Sequence, residues 1–481
     1  MENRMNIFQI FVLTLSALMS VSWAFSAQPA PTISDDFSDG RYEKRTGKDA
    51  AGKPLPEWTV SDGAFEAKDG YLRGIRSGRI MMKSPVAYGT WEWKYRYPSG
   101  QIYLHGKPMY SAGCMFVMSD DVKSPDQASG YWWGGKNDTH MWFQQRTGGG
   151  AGAVALLHNV PHNWGVNMPN DDRWHIVTVT RDANGTFALY HDGEPVSDGS
   201  GGLFTNVVDK THTSSLNLWF QSVIASKDAS AEVLPQFDDL KIWDGQVVTP
   251  DFQAQMKRTA GKVNVLVDQV RGGGTVAMLY HYKAMMEMFE KQGAVLKVIN
   301  TTKLTPSLLD NFEVYVVLAS ASYTKDEQDA LAQFIRQGGR ALVMGGGATA
   351  NAAPWLKEFG MTFRAPKGSE VLDKVVDHPL TQGVKTIHGL GYTYLDAAAP
   401  AKALMSSEKP GAGVGLAVYQ NKGRIVCIAD EWPLGHWKGA GGRGNPAVDM
   451  PEEGFASSKY DHRRLAQNIV DWLLEGLSKT R

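Results

Sequence analysis

From Trp91 to Tyr97 the chain reads Trp-Glu-Trp-Lys-Tyr-Arg-Tyr, with a ring at every second position and a charge at each position between. An extended strand puts those two sets on opposite faces, whereas a helix, turning every ~3.6 residues, mixes them. One face of this strand is therefore built for burial and the other for water. The same alternation recurs from about Ser34 to Gly245. Trp174–Arg181 and Thr186–His191 form a pair joined by Asp182-Ala183-Asn184-Gly185, whose Asn-Gly supplies the positive φ angles of a tight hairpin. Asp192-Gly193 makes a second turn, and Leu216–Val223 and Phe237–Trp243 close the series. Many short strands separated by turn residues predict an antiparallel β-sandwich or jelly roll over residues 34–246.

Beyond Pro250 the periodicity changes. Val263–Asp268 is a short apolar run, and Val276, Leu279, Tyr282, Met286 and Phe289 follow at helical spacing. Strands Val295–Ile299, Val314–Leu318 and Arg340–Met344 come next, with a helix opened by the capping box Thr324-Lys325-Asp326-Glu327 and closed at Gly338-Gly339. This alternation predicts an α/β doubly wound parallel sheet, flavodoxin-like, over residues 260–478.

Two resemblances accompany these readings. The segments DDF, WTVSDGAFEAKDGYLRG, GTWEWKYRY, RWHIVTVTRDANGTFALYHDGEPV and FDDLKIWDG resemble the concanavalin A-like lectin/glucanase superfamily, which includes laminin-G-like modules. That resemblance implies a jelly roll with ligands on the outer face of a curved sheet. The segments YTKDEQDALAQFIRQGGRALVMGGG, DHPLTQGV and HRRLAQNIVDWLL resemble the class I glutamine amidotransferase-like superfamily in its ThuA-like branch. True amidotransferases carry a Cys in a Gly-x-Cys-x-Gly elbow. Here the comparable turn is Gly345-Gly346-Gly347-Ala348 and Cys427 lies inside a strand, so glutamine hydrolysis is not expected.

The strand His140–Arg146 is the best candidate for a ligand face, with His140, Trp142, Gln144 and Arg146 on one side and Met141 and Phe143 on the other. Asn217, Trp219 and Gln221 share a face of a second strand. If both strands join one sheet, these faces make one groove, with Tyr131, Trp132, Trp133, Lys136 and Asn137 at its rim and Tyr103 and His105 arching over it. The alternative is a solvated sheet face whose rings cover an apolar floor. A glycosidase needs two carboxyl groups, and neither this strand nor the E-x-D-x-x-E pattern of the resembling glucanases supplies them. A lyase needs a base and groups that neutralise a substrate carboxylate; His140, Gln144, Arg146 and Tyr103 are of that type, although the strand motifs of jelly-roll alginate lyases are absent. Glycan cleavage by lyase or atypical hydrolase chemistry is the leading expectation, and a non-catalytic glycan-binding or scaffold protein is the alternative. A second candidate pair, Glu431 and His436, follows the strand of Cys427, where parallel sheets bind ligands.

Forty-nine Lys and Arg balance 50 Asp and Glu, so nothing draws the chain to nucleic acid. Arg4, the apolar run Ile7–Val21 and the sites Ser22-Trp23-Ala24 and Ala24-Phe25-Ser26 predict a signal peptide over residues 1–26 and a secreted or periplasmic protein. No later segment is apolar and long enough to span a bilayer. The two cysteines, Cys114 and Cys427, lie in different halves and are expected to be buried thiols. Asp35, Asp36, Asp238 and Asp239 fall on the first and last strands of the sandwich, and Asp36 with Asp238 would head a structural Ca2+ site.

Overall fold

The computed structural model describes residues 28–49, 52–97, 110–120, 127–136, 140–149, 153–157, 173–198, 202–224, 234–270, 282–319, 323–345, 353–364, 370–389, 394–408, 411–420, 422–430, 432–435, 455 and 457–477. The signal segment 1–26, Tyr103, His105, Asn137, Glu431 and His436 lie outside them, as do the side chains of Lys136 and His140.

The first half is antiparallel β throughout. Its strands are β1 (Ile33–Asp35), β2 (Trp58–Lys68), β3 (Tyr71–Lys83), β4 (Gly89–Arg96) and β5 (Tyr110–Met118). β6 (Gly130–Lys136), β7 (His140–Arg146), β8 (Val154–Leu157), β9 (His175–Arg181) and β10 (Thr186–His191) follow. β11 (Glu194–Pro195), β12 (Val207–Val208), β13 (Asn217–Ile224) and β14 (Gln236–Asp244) complete it. The main path runs β11-β10-β9-β4-β14-β3-β13-β5-β6-β7-β8, with β2 on β3, β1 on β14 and β12 on β10. β4 and β6 are far apart along this path, yet the Trp93 and Trp133 rings meet edge-on at 5.3 Å, and Trp91 reaches Phe116 of β5 at 4.9 Å. The sheet therefore curls over and packs its inner face against itself. The alternation of β4 is realised: Trp91, Trp93, Tyr95 and Tyr97 are buried, while Glu92, Lys94 and Arg96 keep solvent contact.

The second half has its own core, made of residues from Met256 to Leu473. β15 (Asn264–Asp268), β16 (Val295–Ile299), β17 (Val314–Ala319) and β18 (Arg340–Gly345) come first. β19 (Met361–Phe363), β20 (Glu370–Leu372), β21 (Lys374–Val375), β22 (Ile387–Gly389) and β23 (Leu395–Ala397) follow, then β24 (Lys402–Ser406), β25 (Ala412–Tyr419) and β26 (Gly423–Ile428). Five strands are parallel, in the order β16-β15-β17-β18-β26. The sheet then continues antiparallel through β25, β23 and β19, so it is mixed where a wholly parallel sheet was expected. The helices are α1 (Phe252–Met256), α2 (Lys283–Lys291), α3 (Pro306–Leu309), α4 (Lys325–Arg336) and α5 (His462–Leu474). The Thr324–Glu327 capping box opens α4 with both reciprocal bonds formed. Among the described residues no helix is long and apolar enough to cross a membrane. Cys114 and Cys427 are free and buried.

One inner-face residue breaks the apolar pattern. Arg181, at the end of β9, has no exposed surface. Its guanidinium donates to the carbonyls of Ala87 (2.9 Å) and Asp209 (3.0 Å) and to the Tyr131 hydroxyl (3.1 Å), and it lies over the rings of Tyr88, Tyr131 and Phe187. The Tyr131 hydroxyl in turn donates to Asp209 Oδ1 at 2.5 Å. Replacing Arg181 by Met strands these acceptors in an apolar interior, at a cost of about 3 kcal/mol. A urea titration followed by tryptophan fluorescence should show the sandwich transition moving to lower denaturant at unchanged slope; an unmoved midpoint would refute this account.

Candidate functional site on the outer sheet face

β13, β5, β6 and β7 are consecutive neighbours, so the two candidate strands do belong to one sheet. Their register sorts the side chains into rows. An inner row runs Ile80, Phe220, Cys114, Trp133, Phe143, and all five are fully buried. On the outer face one row runs Met81, Trp219, Met115, Trp132, Gln144, and the next runs Arg79, Gln221, Gly113, Gly134, Trp142.

These rows correct two expectations. Trp133 does not line the outer face, because the pleat turns it inward against Trp93 and Tyr95. The outward ring of that strand is Trp132. Asn217 is completely buried beside the irregularity between Asn217 and Trp219, so it presents nothing to a ligand in solution.

Trp132 sets the floor of the face. Its ring lies across the next row: a Cβ on Gly134 would fall 2.0 Å from it, and one on Gly113 would fall 3.0 Å from its Nε1. Only residues without a side chain let an indole lie flat along a sheet in this way. Met115, Met118, Ala128, Trp132 and Trp219 form a small apolar cluster of their own, with Met81 and Trp142 packed against it. Trp132 and Trp219 are almost wholly buried (5% and 2% exposed), whereas Trp142 keeps solvent access.

Polar groups flank these rings on both sides. The Arg146 guanidinium sits 4.4 Å over the Trp132 ring and donates from Nε and Nη2 to Gln144 Oε1 at 3.2 and 3.0 Å. Across the sheet Arg79 donates to Gln221 Oε1 at 3.2 Å and to Asp62 at 2.7 Å. Both glutamine oxygens thus accept from an arginine. Sequence reading missed Arg79 as a member of this face and placed Trp132 only at its rim. Arg79 lies in a strand that carried no candidate, and only the cross-strand register brings it to Gln221.

His140 and Arg146 end up at opposite ends of β7. Six residues of strand at roughly 3.3 Å each separate their Cα atoms by about 20 Å. The structure therefore does not bring them to one bond. Gln144, Trp142 and Arg146 do stand together, and Gln221 and Trp219 share their face.

Of the four acids of the first and last strands, Asp36, Asp238 and Asp239 lie near one another, but two of the four are already paired. Asp35 is bound to Arg45 and accepts from Trp58 Nε1 at 2.7 Å. Asp239 is paired with Lys94 (3.1 Å) and Lys241 (3.0 Å). Asp36 and Asp238 remain, and two carboxylates fall short of the six or more oxygens, roughly, that Ca2+ collects.

In the second half, Cys427 is fully buried within β26, and burial drives its thiol well above the ordinary range. It has neither the exposure nor the ionisation of a nucleophile. A cleft of about 590 Å³ lies instead at the N-terminal ends of the parallel strands, lined by Arg258, Lys262, Glu313, Gly339, Arg340 and Lys422. That is the end opposite to where open parallel sheets bind ligands.

Neither a protein-family profile nor a curated protein sequence matches the chain. Among solved structures, a ThuA-like protein from Bacteroides uniformis is similar over 45% of this chain and 93% of its own, at 14% identity and a TM-score of 0.31. The carbohydrate-binding module CBM66 from Bacillus subtilis is similar over 39% of this chain and 93% of its own, at 12% identity and a TM-score of 0.25. The mmIFT52 N-terminal domain covers 44% of this chain and 98% of its own, at 13% identity and a TM-score of 0.35. Likeness at these levels carries nothing about activity.

Asp238 offers a test of the acidic corner. Burial, with Asp239 and Asp36 nearby, raises its carboxyl to a pKa of about 6. A raised carboxyl pKa favours folding while the group is protonated, fully so below about 3.9, its unfolded value, and that contribution fades as pH rises through about 6. Asp238→Asn should therefore unfold at a higher temperature than the parent at pH 7.5 and match it near pH 4. A variant less stable than the parent at pH 7.5 would overturn this account.

Proposed function

We propose that the protein is exported and binds polysaccharide on the outer face of β13, β5, β6 and β7. The observation that carries this is the accessible Trp142 ring standing on the Trp132–Trp219 floor, flanked by the Arg146–Gln144 and Arg79–Gln221 pairs. A sugar offers an apolar C–H face to a ring and hydroxyl or carboxylate oxygens to surrounding donors, and this face supplies both. We take residues 34–246 as a concanavalin A-like domain carrying that face. Residues 260–478 are then a doubly wound, ThuA-like domain without amidotransferase chemistry.

Binding is favoured over cleavage for two reasons. In the two outer rows and their Arg79 partner the only carboxylate is Asp62, and it is held by Arg79; a hydrolase needs two. Of the two candidate lyase bases, His140 lies about 20 Å from Arg146 along one strand, which disfavours that pairing, and Tyr103 lies outside the described residues.

The full chain, without residues 1–26, should be retained on columns of immobilised neutral and uronate polysaccharides. Trp142→Ala should weaken retention about tenfold, the loss of one stacking platform. Gly134→Ala should weaken it as well, by forcing the Trp132 ring off the sheet. Equal retention of both variants and the parent would sink the assignment of the face. Reducing ends or the ultraviolet absorbance of unsaturated products, appearing in the same incubations, would restore the cleavage reading.

A further inference from the structure

At one end of the sandwich interior the apolar packing gives way to a second polar group. His175 opens β9, His191 ends β10, and Asp192 occupies the turn that leads into β11. Asp192 has φ +51° and Gly193 φ +83°, the left-handed pair that a two-residue hairpin turn requires and that Asp-Gly adopts readily. That turn aims the Asp192 carboxylate back over the strand ends, where Oδ1 accepts from the Ile176 N–H at 2.9 Å.

The other oxygen, Oδ2, faces both histidines. It stands 2.7 Å from His175 Nδ1 and 3.4 Å from His191 Nδ1. The two imidazoles are stacked, with centroids 5.4 Å apart and planes inclined by 16°. The three ligand-capable atoms lie within 4.8 Å of one another. On its far side, His191 Nε2 is 2.8 Å from the Tyr95 hydroxyl, and Tyr95 is fully buried in β4. The histidines are nearly buried, and Asp192 retains about a third of its side-chain exposure, which gives solvent one way in.

We propose that His175 Nδ1, His191 Nδ1 and Asp192 Oδ2 form a binding site for a divalent first-row transition ion such as Zn2+. Two imidazole nitrogens and one carboxylate oxygen are a donor set that suits such ions and does not suit Ca2+ or Mg2+, which take oxygen. Tetrahedral Zn2+ with bonds of about 2.05 Å spaces its ligand atoms by about 3.3 Å. The His191–Asp192 separation already meets that value. The His175–Asp192 contact has to open by roughly half an ångström, within the play of two χ angles. With Nδ1 on an ion, His191 would carry its proton on Nε2 and donate it to the Tyr95 hydroxyl 2.8 Å away, an outer-shell bond of the kind that orients metal-bound histidine. Three protein ligands leave a fourth position to water. Glu194, two residues past Asp192, reaches into the second half of the molecule, so an ion here would stiffen the hairpin from which that contact is made.

The test uses the full chain stripped with a chelator and titrated with Zn2+, read by calorimetry and by thermal unfolding. One equivalent should bind and raise the unfolding temperature. Asp192→Asn keeps the turn, since Asn tolerates positive φ, and keeps a neutral acceptor while removing the anionic ligand; its Zn2+ affinity should fall at least tenfold, and added Zn2+ should no longer raise its unfolding temperature above that of its own metal-free form. Tyr95→Phe, which leaves every ligand in place, should weaken binding about tenfold. Co2+ added to the parent should give the visible bands of a tetrahedral site, absent in Asp192→Asn. No bound equivalent in the parent, or equal affinity in the parent and in Asp192→Asn, would overturn the proposal and leave a hydrogen-bonded cluster.

Discussion

Adjacent residues of a strand cannot share a face, and Trp132 and Trp133 carry the consequences of that constraint through the whole sandwich. Trp133 turns inward and meets Trp93 and Tyr95 from the opposite layer, joining the two halves of the curled sheet through large apolar surface. Trp132 turns outward and makes the floor on which Trp142 and Arg146 rest. A slip of one residue in β6 would exchange them, emptying the core contact and the outer floor together. Gly134 and Gly113 enforce the register locally, because either one carrying a side chain would collide with the Trp132 ring or crowd it.

Glu194 is the corresponding constraint between the two halves. It is 2% exposed, and its carboxylate accepts from the backbone N–H groups of Asn300, Thr301 and Thr302, from Asn300 Nδ2 and from the Thr302 hydroxyl, all just beyond the end of β16. Burial raises its pKa even though these donors favour the anion. A buried carboxylate is tolerable only with its lone pairs filled, so the loop from Asn300 to Thr302 is held to the β10–β11 hairpin by a group that has no comparable alternative. Arg173, which binds Glu290 of α2 at 2.8 Å, adds a second and more exposed contact across the same boundary.

Much of the architecture was legible because it rests on local rules. The period-two runs became strands, β10 and β16 at the residues anticipated and β4, β9, β13 and β14 within a residue or two, and the Thr324 capping box appeared as read. The candidate site was less legible, and the failures share a cause. Trp133 was placed at the rim because the run from Tyr131 was read as an approach to a strand, whereas Gly130–Lys136 is itself strand β6 and subject to alternation. Asn217 was read as polar and therefore outward, but the irregularity beside it leaves it buried. His175 and Arg181 could have been noticed, since Trp174–Arg181 puts them in phase with Val177 and Val179, the apolar set of that strand. A polar residue in the apolar phase signals that something inside must satisfy it. Which partners do so, Asp192 and the neighbouring His191 at one end and Tyr131 with the Ala87 and Asp209 carbonyls at the other, depends on pairings among β4, β6, β9 and β10 that no single segment contains.

The two ends of β9 also explain why polar groups inside the sandwich need not compete with those on its surface. Arg181 and the His175–Asp192 group sit at the two ends of β9, and each finds an acceptor in a neighbouring turn or loop, Asp209 for one and Asp192 for the other. On the outer face Trp142 keeps solvent access, and the Arg146–Gln144 pair stands beside it over the Trp132 ring. A ring that remains open above a buried aromatic floor gains little by packing further within the chain. It gains more by covering itself with a ligand that has one apolar face and a rim of oxygens. That asymmetry, closed polar groups within and an aromatic platform without, is the physical basis on which the proposed recognition at the sheet face rests.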